Sequence, residues 1–304
     1  MTYPRSHLVD PEGGVYHVCS RCVRRAYLCG TDQQSGRDFD HRREWIVDRI
    51  RTLSKIFAID IFGYAVMSNH YHIVLQVNSP EPQDWADDEI IERWLMLNPR
   101  KHETPVSRST RKSSLLANPD NITKYRKRLG SLSWFMRYLN EPIARRANKE
   151  DACKGRFWEG RFQSQRLLDD HAVLAAMVYV DLNPLRAGMV KDATEAEHTS
   201  LSQRISEEPK FNEVLTAIDK PDTELPFSFT LSEYRQIVEW TVISQQSQRP
   251  VNLAGLPPAE LWIHHYLPKP NCWQRAQGSV QAIKDYAKEI GQCWIQIRSA
   301  QLVT

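Results

Sequence analysis

The period of the hydrophobic positions changes several times along the chain, and each change marks an element. After the Gly13-Gly14 breaker, Val15, Tyr16 and Val18 stand among polar residues, so Val15 to Cys22 reads as a first strand. From Asp40 to Phe57 the apolar residues Trp45, Ile46, Ile50, Leu53 and Ile56 recur at helical spacing, as on an amphipathic helix packed on a sheet. Ala58 to Met67 and Tyr71 to Val77 are apolar runs flanking Ser68-Asn69, a pair with turn chemistry, which predicts a hairpin. Pro80 to Gly130 turns polar, proline-punctuated and basic, with Arg108, Arg111, Lys112, Lys124, Arg126, Lys127 and Arg128, and reads as an insertion with some helix.

Ser131 to Asn148 again has helical spacing, with Pro142 as a predicted kink. Gly155 to Leu168 alternates aromatic with basic or polar residues and reads as a strand. Asp170 to Asn183 reads as a helix, capped by Asp169 or Asp170 and stopped by Pro184. The order β-α-β-β-α-β-α predicts an α+β fold, a ferredoxin-like antiparallel sheet with helices on one face. Beyond Thr194 the pattern loosens. Helical stretches at Leu231 to Gln245 and Gly278 to Ile290 flank the proline-bearing Gln248 to Pro270, so 1–194 is expected to form the core domain, with its basic insertion at 80–130, and 195–304 a mainly helical accessory region.

Composition narrows the class only a little. Of 304 residues, 41% are hydrophobic and 25% charged, ordinary for a folded globular chain. No run approaches the roughly 20 apolar residues that cross a bilayer, and the opening MTYPRSHLVDPEGG lacks the apolar core of a secretory signal, so no membrane partner and a cytoplasmic location are expected. The net charge of +3 permits nucleic-acid binding without arguing for it. Six cysteines are too sparse for a disulfide scaffold; Cys19 and Cys22 have a zinc-like spacing, but Cys29 alone is a poor second pair, and they read as buried strand residues.

Candidate chemistry gathers in three places. In His70-Tyr71-His72 the strand alternation puts both imidazoles on one face and Tyr71 on the other, a ready pair of metal ligands, although hydrogen-bonded strand-end histidines would have the same spacing. In MVYVDLNPLRAG, Tyr179 and Asn183 are four apart and share a helical face; a buried tyrosine and a helix cap would look the same. Two imidazoles and an amide oxygen leave positions open on a divalent ion for phosphate oxygen and water, and Tyr179, with an ordinary pKa near 10, needs such help to act as a nucleophile. The basic stretch from Lys154 to Arg166 interleaves Arg156, Arg161 and Arg166 with Phe157, Trp158 and Phe162, which suits phosphate contact and base stacking; Arg137, Arg145 and Arg146 extend it as a positive groove or form a solvated helix face. Arg186, just after Asn183, joins the candidate DNA-binding set.

In this order the blocks AVMSNHYHIVLQ, GRFWEGRFQSQ and YVDLNPLRAGMV resemble the signatures of the IS200-like, single-tyrosine HUH transposases, nearest to the REP-associated tyrosine transposases, and SRCVRRAYLCG resembles that family's first strand. The resemblance spans residues 15–190. It implies His70 and His72 as ligands of Mg²⁺ or Mn²⁺, Asn183 as the third ligand, and Tyr179 as the nucleophile. It further implies a homodimer, hairpin-forming single-stranded DNA as substrate, and 5′-phosphotyrosine intermediates. Because a phosphotyrosine conserves the phosphodiester bond, no nucleotide cofactor is expected, and the chain has no Walker-type glycine loop. Two other classes compete: a nonenzymatic nucleic-acid-binding module, and a HUH relaxase or replication initiator, against which the order of the blocks argues.

Overall fold

The computed structural model of the chain describes residues 13–23, 28–32, 36–206, 212–268, 273–293 and 295. The opening segment before Gly13, residues 24–27 within the block SRCVRRAYLCG, and Cys272 lie outside the described residues. The chain forms a mixed α+β structure around a five-stranded sheet. It begins with β1 (Gly14–Arg21), α1 (Arg42–Ser54), β2 (Ile59–Val66) and β3 (His70–Val77). The insertion supplies three helices, α2 (Asp87–Leu97), α3 (Pro105–Leu116) and α4 (Pro119–Leu129). Then come α5 (Leu132–Glu150), β4 (Gln163–Leu167), α6 (Asp170–Asp181) and the short α7 (Asn183–Arg186). The C-terminal region contributes α8 (Ser200–Ser206), a hairpin of β5 (Thr216–Ala217) and β6 (Lys220–Glu224), α9 (Leu231–Gln246), α10 (Ala259–Leu261), β7 (Ala276–Gln277) and α11 (Val280–Glu289).

The sheet order is β2-β3-β1-β4-β7, with β2, β3, β1 and β4 antiparallel to their neighbours and β7 added parallel to β4 at the edge. The expectation of helices on one face does not hold. Tyr16, Val18, Tyr71, Ile73 and Leu75 pack in one core with Ile46 and Ile50 of α1 and Phe135 and Leu139 of α5. Phe62, Ala65 and Val74 pack on the opposite face with α6, and Tyr234 and Ile237 of α9 extend that second core. The physical reason was present in the composition of β2: Ile59 to Val66 is buried at every position, and a strand without polar alternation needs cover on both sides. α6 matches it, with every residue from Ala172 to Asp181 buried.

Helix α5 carries Pro142 inside it and runs on to Glu150. Proline removes the N–H that would bond Tyr138 O four residues back, and Arg49 Nε from α1 donates to that carbonyl instead, at 3.0 Å. The strand expected from Gly155 to Leu168 forms only at Gln163–Leu167. Gly155 sits at φ +109°, outside extended geometry, and residues 156–159 form a loop tied to the end of β1 by Val23 N–Phe157 O (2.9 Å) and Glu159 N–Arg21 O (2.8 Å). The cations of the insertion are largely spent within it: Arg108 pairs with Glu92, Lys112 with Asp88 and Glu92, Arg111 with Glu103, and Arg126 with Asp87. Cys19, Cys22 and Cys29 are buried and in no disulfide among the described residues, as expected for strand and core positions. No described helix is long and apolar enough to cross a membrane.

Candidate active site

Strand alternation places His70, His72 and Val74 of β3 toward α6, while Tyr71 turns to the α5 face and donates from its hydroxyl to Asn140 Oδ1 at 2.6 Å. The structure therefore brings together His70, His72, Tyr179 and Asn183. The His70 and His72 rings are 4.9 Å apart between centroids, and the Tyr179 ring stands edge-on to His72 at 5.7 Å. Asn183 opens α7 immediately below Tyr179. Its amide nitrogen donates to Tyr179 O at 3.1 Å, the cap-like bond. Arg186 lies with its guanidinium 5.0 Å from the Tyr179 ring centroid.

A third imidazole escaped the sequence reading. His17 of β1 is buried against both ring systems, 5.0 Å from His72 and 5.8 Å from Tyr179. Its Nε2 lies 2.9 Å from His72 Nδ1. In the antiparallel register His72 faces Cys19, so Val15, His17 and Cys19 share the face of His70 and His72. Period-two alternation in VYHVCS was the available signal; the pairing of β1 with β3, which makes it meaningful, is not local. Trp273 is also new. It lies 4.8 Å from His17 and is stacked on His72 at 6.2 Å, and it arrives from a tail segment with no periodic pattern.

Burial keeps all three imidazoles neutral at ordinary pH. It lowers His17 to about 3 and His70, with Arg21 nearby, to about 4; His72 falls well below 6.5 through burial and the proximity of His17, His70 and Arg21. Neutral rings keep a lone pair for a ligand. The Asn69 side-chain oxygen accepts from His70 Nδ1, which leaves His70 Nε2 as the bare nitrogen. His72 presents its Nε2 in the same way when its Nδ1–H donates to His17. The three rings do not converge on one point, because His17 Nε2 is engaged with His72, and among the described residues no group of three or more His, Cys, Asp and Glu is arranged around a common centre. The donors on offer here are two imidazole nitrogens and an amide oxygen, a mixed set more at home with a transition ion such as Mn²⁺ than with oxygen-seeking Mg²⁺.

The other candidates divide. Arg161 and half-buried Trp158 line a surface cavity beside α5, and Trp158 Nε1 donates to Asn140 O at 2.9 Å. Arg156 is exposed, its guanidinium reaching Glu159 O at 3.4 Å. Arg166 is not brought to this site: it pairs with Tyr16 on the α1 and α5 face, and its guanidinium donates to Gly13 O and, at 3.0 Å, to the Tyr16 hydroxyl.

No family model matches the chain, and no curated protein is similar to it. Among solved structures, a REP-associated tyrosine transposase bound to a REP hairpin is similar at 13% identity with a TM-score of 0.36, over 68% of this chain and 86% of that one. A likeness at that level carries no weight for the site, which rests on its own geometry.

Proposed function

We propose that the protein is a metal-dependent enzyme that cuts and rejoins single-stranded DNA through a 5′-phosphotyrosine on Tyr179, in the manner of the single-tyrosine HUH transposases that its blocks resemble. The observation that carries this reading is the convergence of Tyr179 on His72 across two elements far apart in sequence, with Asn183 one turn beyond. The order β2-β3-β1-β4, with α1 and α5 in the crossovers, also suits the ferredoxin-like arrangement expected of such enzymes.

Tyr179 O attacks the phosphorus, the phenolic proton leaves, and the bond to the 3′ oxygen breaks to give a free 3′-OH; attack by a 3′-OH reverses the step and restores the tyrosine. A divalent ion, when bound, polarises the scissile phosphate. His70, His72 and Asn183 would hold that ion, and His17, accepting from His72 Nδ1, would fix the tautomer that leaves His72 Nε2 free to ligate. Arg186 beside Tyr179 offers a guanidinium to the phosphate. Arg156, Trp158 and Arg161 contact the flanking strand, whereas Arg166 serves the fold. The substrate is hairpin-bearing single-stranded DNA handled by a homodimer, and no nucleotide cofactor takes part.

Incubating the protein with labelled hairpin DNA and Mg²⁺ or Mn²⁺, then running a denaturing gel, tests the reading. A covalent adduct that disappears in Tyr179→Phe is expected. An adduct that survives the substitution removes Tyr179 as the nucleophile, and DNA binding without any adduct makes the protein a binding module.

A further inference from the structure

Three surface cavities share walls in series, and the last of them opens beside the histidines. The largest, about 870 Å³, lies between α5, α1 and the insertion and is lined by Arg49, Arg128, Arg137, Arg145, Arg146 and Lys149, with Glu141 as its one acidic residue. Trp134, Arg137 and Glu141 are also walls of a second cavity of about 470 Å³, whose far side is Trp158, Gly160, Arg161 and Phe162. Gly160 and Arg161 in turn belong to a third, of about 340 Å³, which includes Arg21, Cys19 and Trp273. Cys19 is the register partner of His72, and Trp273 stacks on it.

The path thus begins on the α5 face, rounds the end of β1 at the Glu159–Arg161 loop, and reaches the face that carries Tyr179. We propose that it is a track for single-stranded DNA, leading from a basic groove built by α5 and the insertion into the candidate active site; this rests on the function proposed above. Charge selects a polyanion: six cations face one acid in the groove, and Glu141 is already shared between Arg137 and Arg145. The aromatic content selects a single strand over a duplex, because only unpaired bases offer faces to Trp134, Tyr138, Trp158 and Phe162. The Arg128 guanidinium sits 4.0 Å from the Trp134 ring centroid and that of Arg146 3.6 Å from the Trp45 centroid, so both groove-lining cations rest on aromatic rings. From Ser133 to Lys149, α5 alone provides a wall about 24 Å long at its ordinary rise, room for several nucleotides. The insertion takes on a role here even though most of its own cations are internally paired: it forms the second wall, through Trp94 and Arg128.

The test reads binding, not cleavage, in full-length Tyr179→Phe protein without divalent ion. Affinity for a short and a long labelled oligothymidylate is measured by anisotropy over a range of salt, with and without the added substitutions Arg145→Gln, Arg146→Gln and Lys149→Gln. All three residues are exposed, so the fold is kept, which circular dichroism checks. The long strand should bind more tightly than the short one, and the triple substitution should remove that advantage and lower the slope of log K against log salt by about 2, from roughly 0.7 per phosphate contact. Photocrosslinking of iodouracil-substituted long strands should label α5 at Trp134 or Tyr138. Equal affinities for both lengths, an unchanged salt slope, or crosslinks confined to the Tyr179 face would overturn the track. Because no step of this test uses the tyrosine hydroxyl or a metal, a track that passes while wild-type protein forms no adduct sinks the catalytic reading alone.

Discussion

Asp181 is the most informative residue to perturb outside the chemistry, because it joins the helix that carries Tyr179 to the C-terminal region. Its side chain is fully buried. Oδ1 accepts from Ser200 Oγ at 2.7 Å and from Leu201 N at 3.1 Å, and Oδ2 accepts from the Tyr234 hydroxyl at 2.7 Å. Ser200 Oγ also accepts from Tyr64 N at 3.0 Å, so α6, α8, α9 and β2 meet at one carboxylate. Burial raises the Asp181 carboxyl above its ordinary range, opposed by the Tyr234 and Ser200 hydrogen bonds and by nearby Arg204. A hydrogen bond to a charged group contributes about 1.5–3 kcal/mol, and a stranded buried donor costs about 1–3 kcal/mol.

Tyr234→Phe, which deletes one donor cleanly, should therefore cost about 2 kcal/mol. Asp181→Ala strands two side-chain hydroxyls and a backbone N–H and should cost roughly 3–5 kcal/mol, less than the sum of its parts because the desolvated charge goes too. Asp181→Asn keeps one oxygen, and its new N–H can donate to the Tyr234 hydroxyl, so a loss near 1 kcal/mol is expected. Urea unfolding of both single variants and of Asp181→Ala/Tyr234→Phe closes a double-mutant cycle, with an expected coupling of about 1.5–3 kcal/mol. Additivity to within about 0.5 kcal/mol would refute the account, since it would mean that the 2.7 Å contact carries no net energy.

Other perturbations probe separate links. Gly14→Ala should destabilise by roughly 2–3 kcal/mol in thermal or urea unfolding, because Gly14 sits at φ +121° and a Cβ there would strike the Arg166 guanidinium. Burial pushes the thiols of Cys19 and Cys29 up to about 12, so alkylation at pH 8 followed by mass spectrometry should label exposed Cys153 and Cys293 and spare Cys19 and Cys29 until the protein is unfolded. His17→Phe removes the acceptor for His72 Nδ1 and should weaken Mn²⁺ binding, followed by electron paramagnetic resonance, by about 10–100-fold, while His17→Gln, whose amide oxygen can accept the same bond, should keep most of it.

What was legible in the sequence was whatever one element determines by itself. The spacing of His70 and His72 fixed their common face as soon as the stretch was a strand, and that of Tyr179 and Asn183 fixed theirs on a helix. His17 was invisible for the opposite reason: its meaning depends on the register between β1 and β3, which lie more than fifty residues apart. Trp273 and β7 were harder still, because Ala276–Gln277 is too short to carry a period and earns its place only by pairing with Arg166 and Leu167. Arg166 misled because a guanidinium in a basic, aromatic stretch looks solvent-bound, whereas alternation in β4 turned it inward to Tyr16. The helices on both faces match a β2 that is apolar except at Asp60 and Gly63 and buried throughout, a run that demands cover on both sides.

The C-terminal region, expected as an accessory, bears on how the site is built: α8 and α9 anchor α6 through Asp181, and Trp273 packs on His17 and His72, while β7 extends the sheet at its β4 edge. A tyrosine on a helix is a useful nucleophile only if the helix stays still relative to the strand that bears its partners. α6 is almost wholly apolar and touches β2 and β3 through side chains such as Phe62, Ala65 and Val74, contacts that resist separation but do not strongly specify register. The buried Asp181 network does specify it, since three directional donors meet the two oxygens of one carboxylate at a single helix setting. Positioning of Tyr179 against His72 is thus a property of residues beyond 194 as much as of the blocks that contain the two residues.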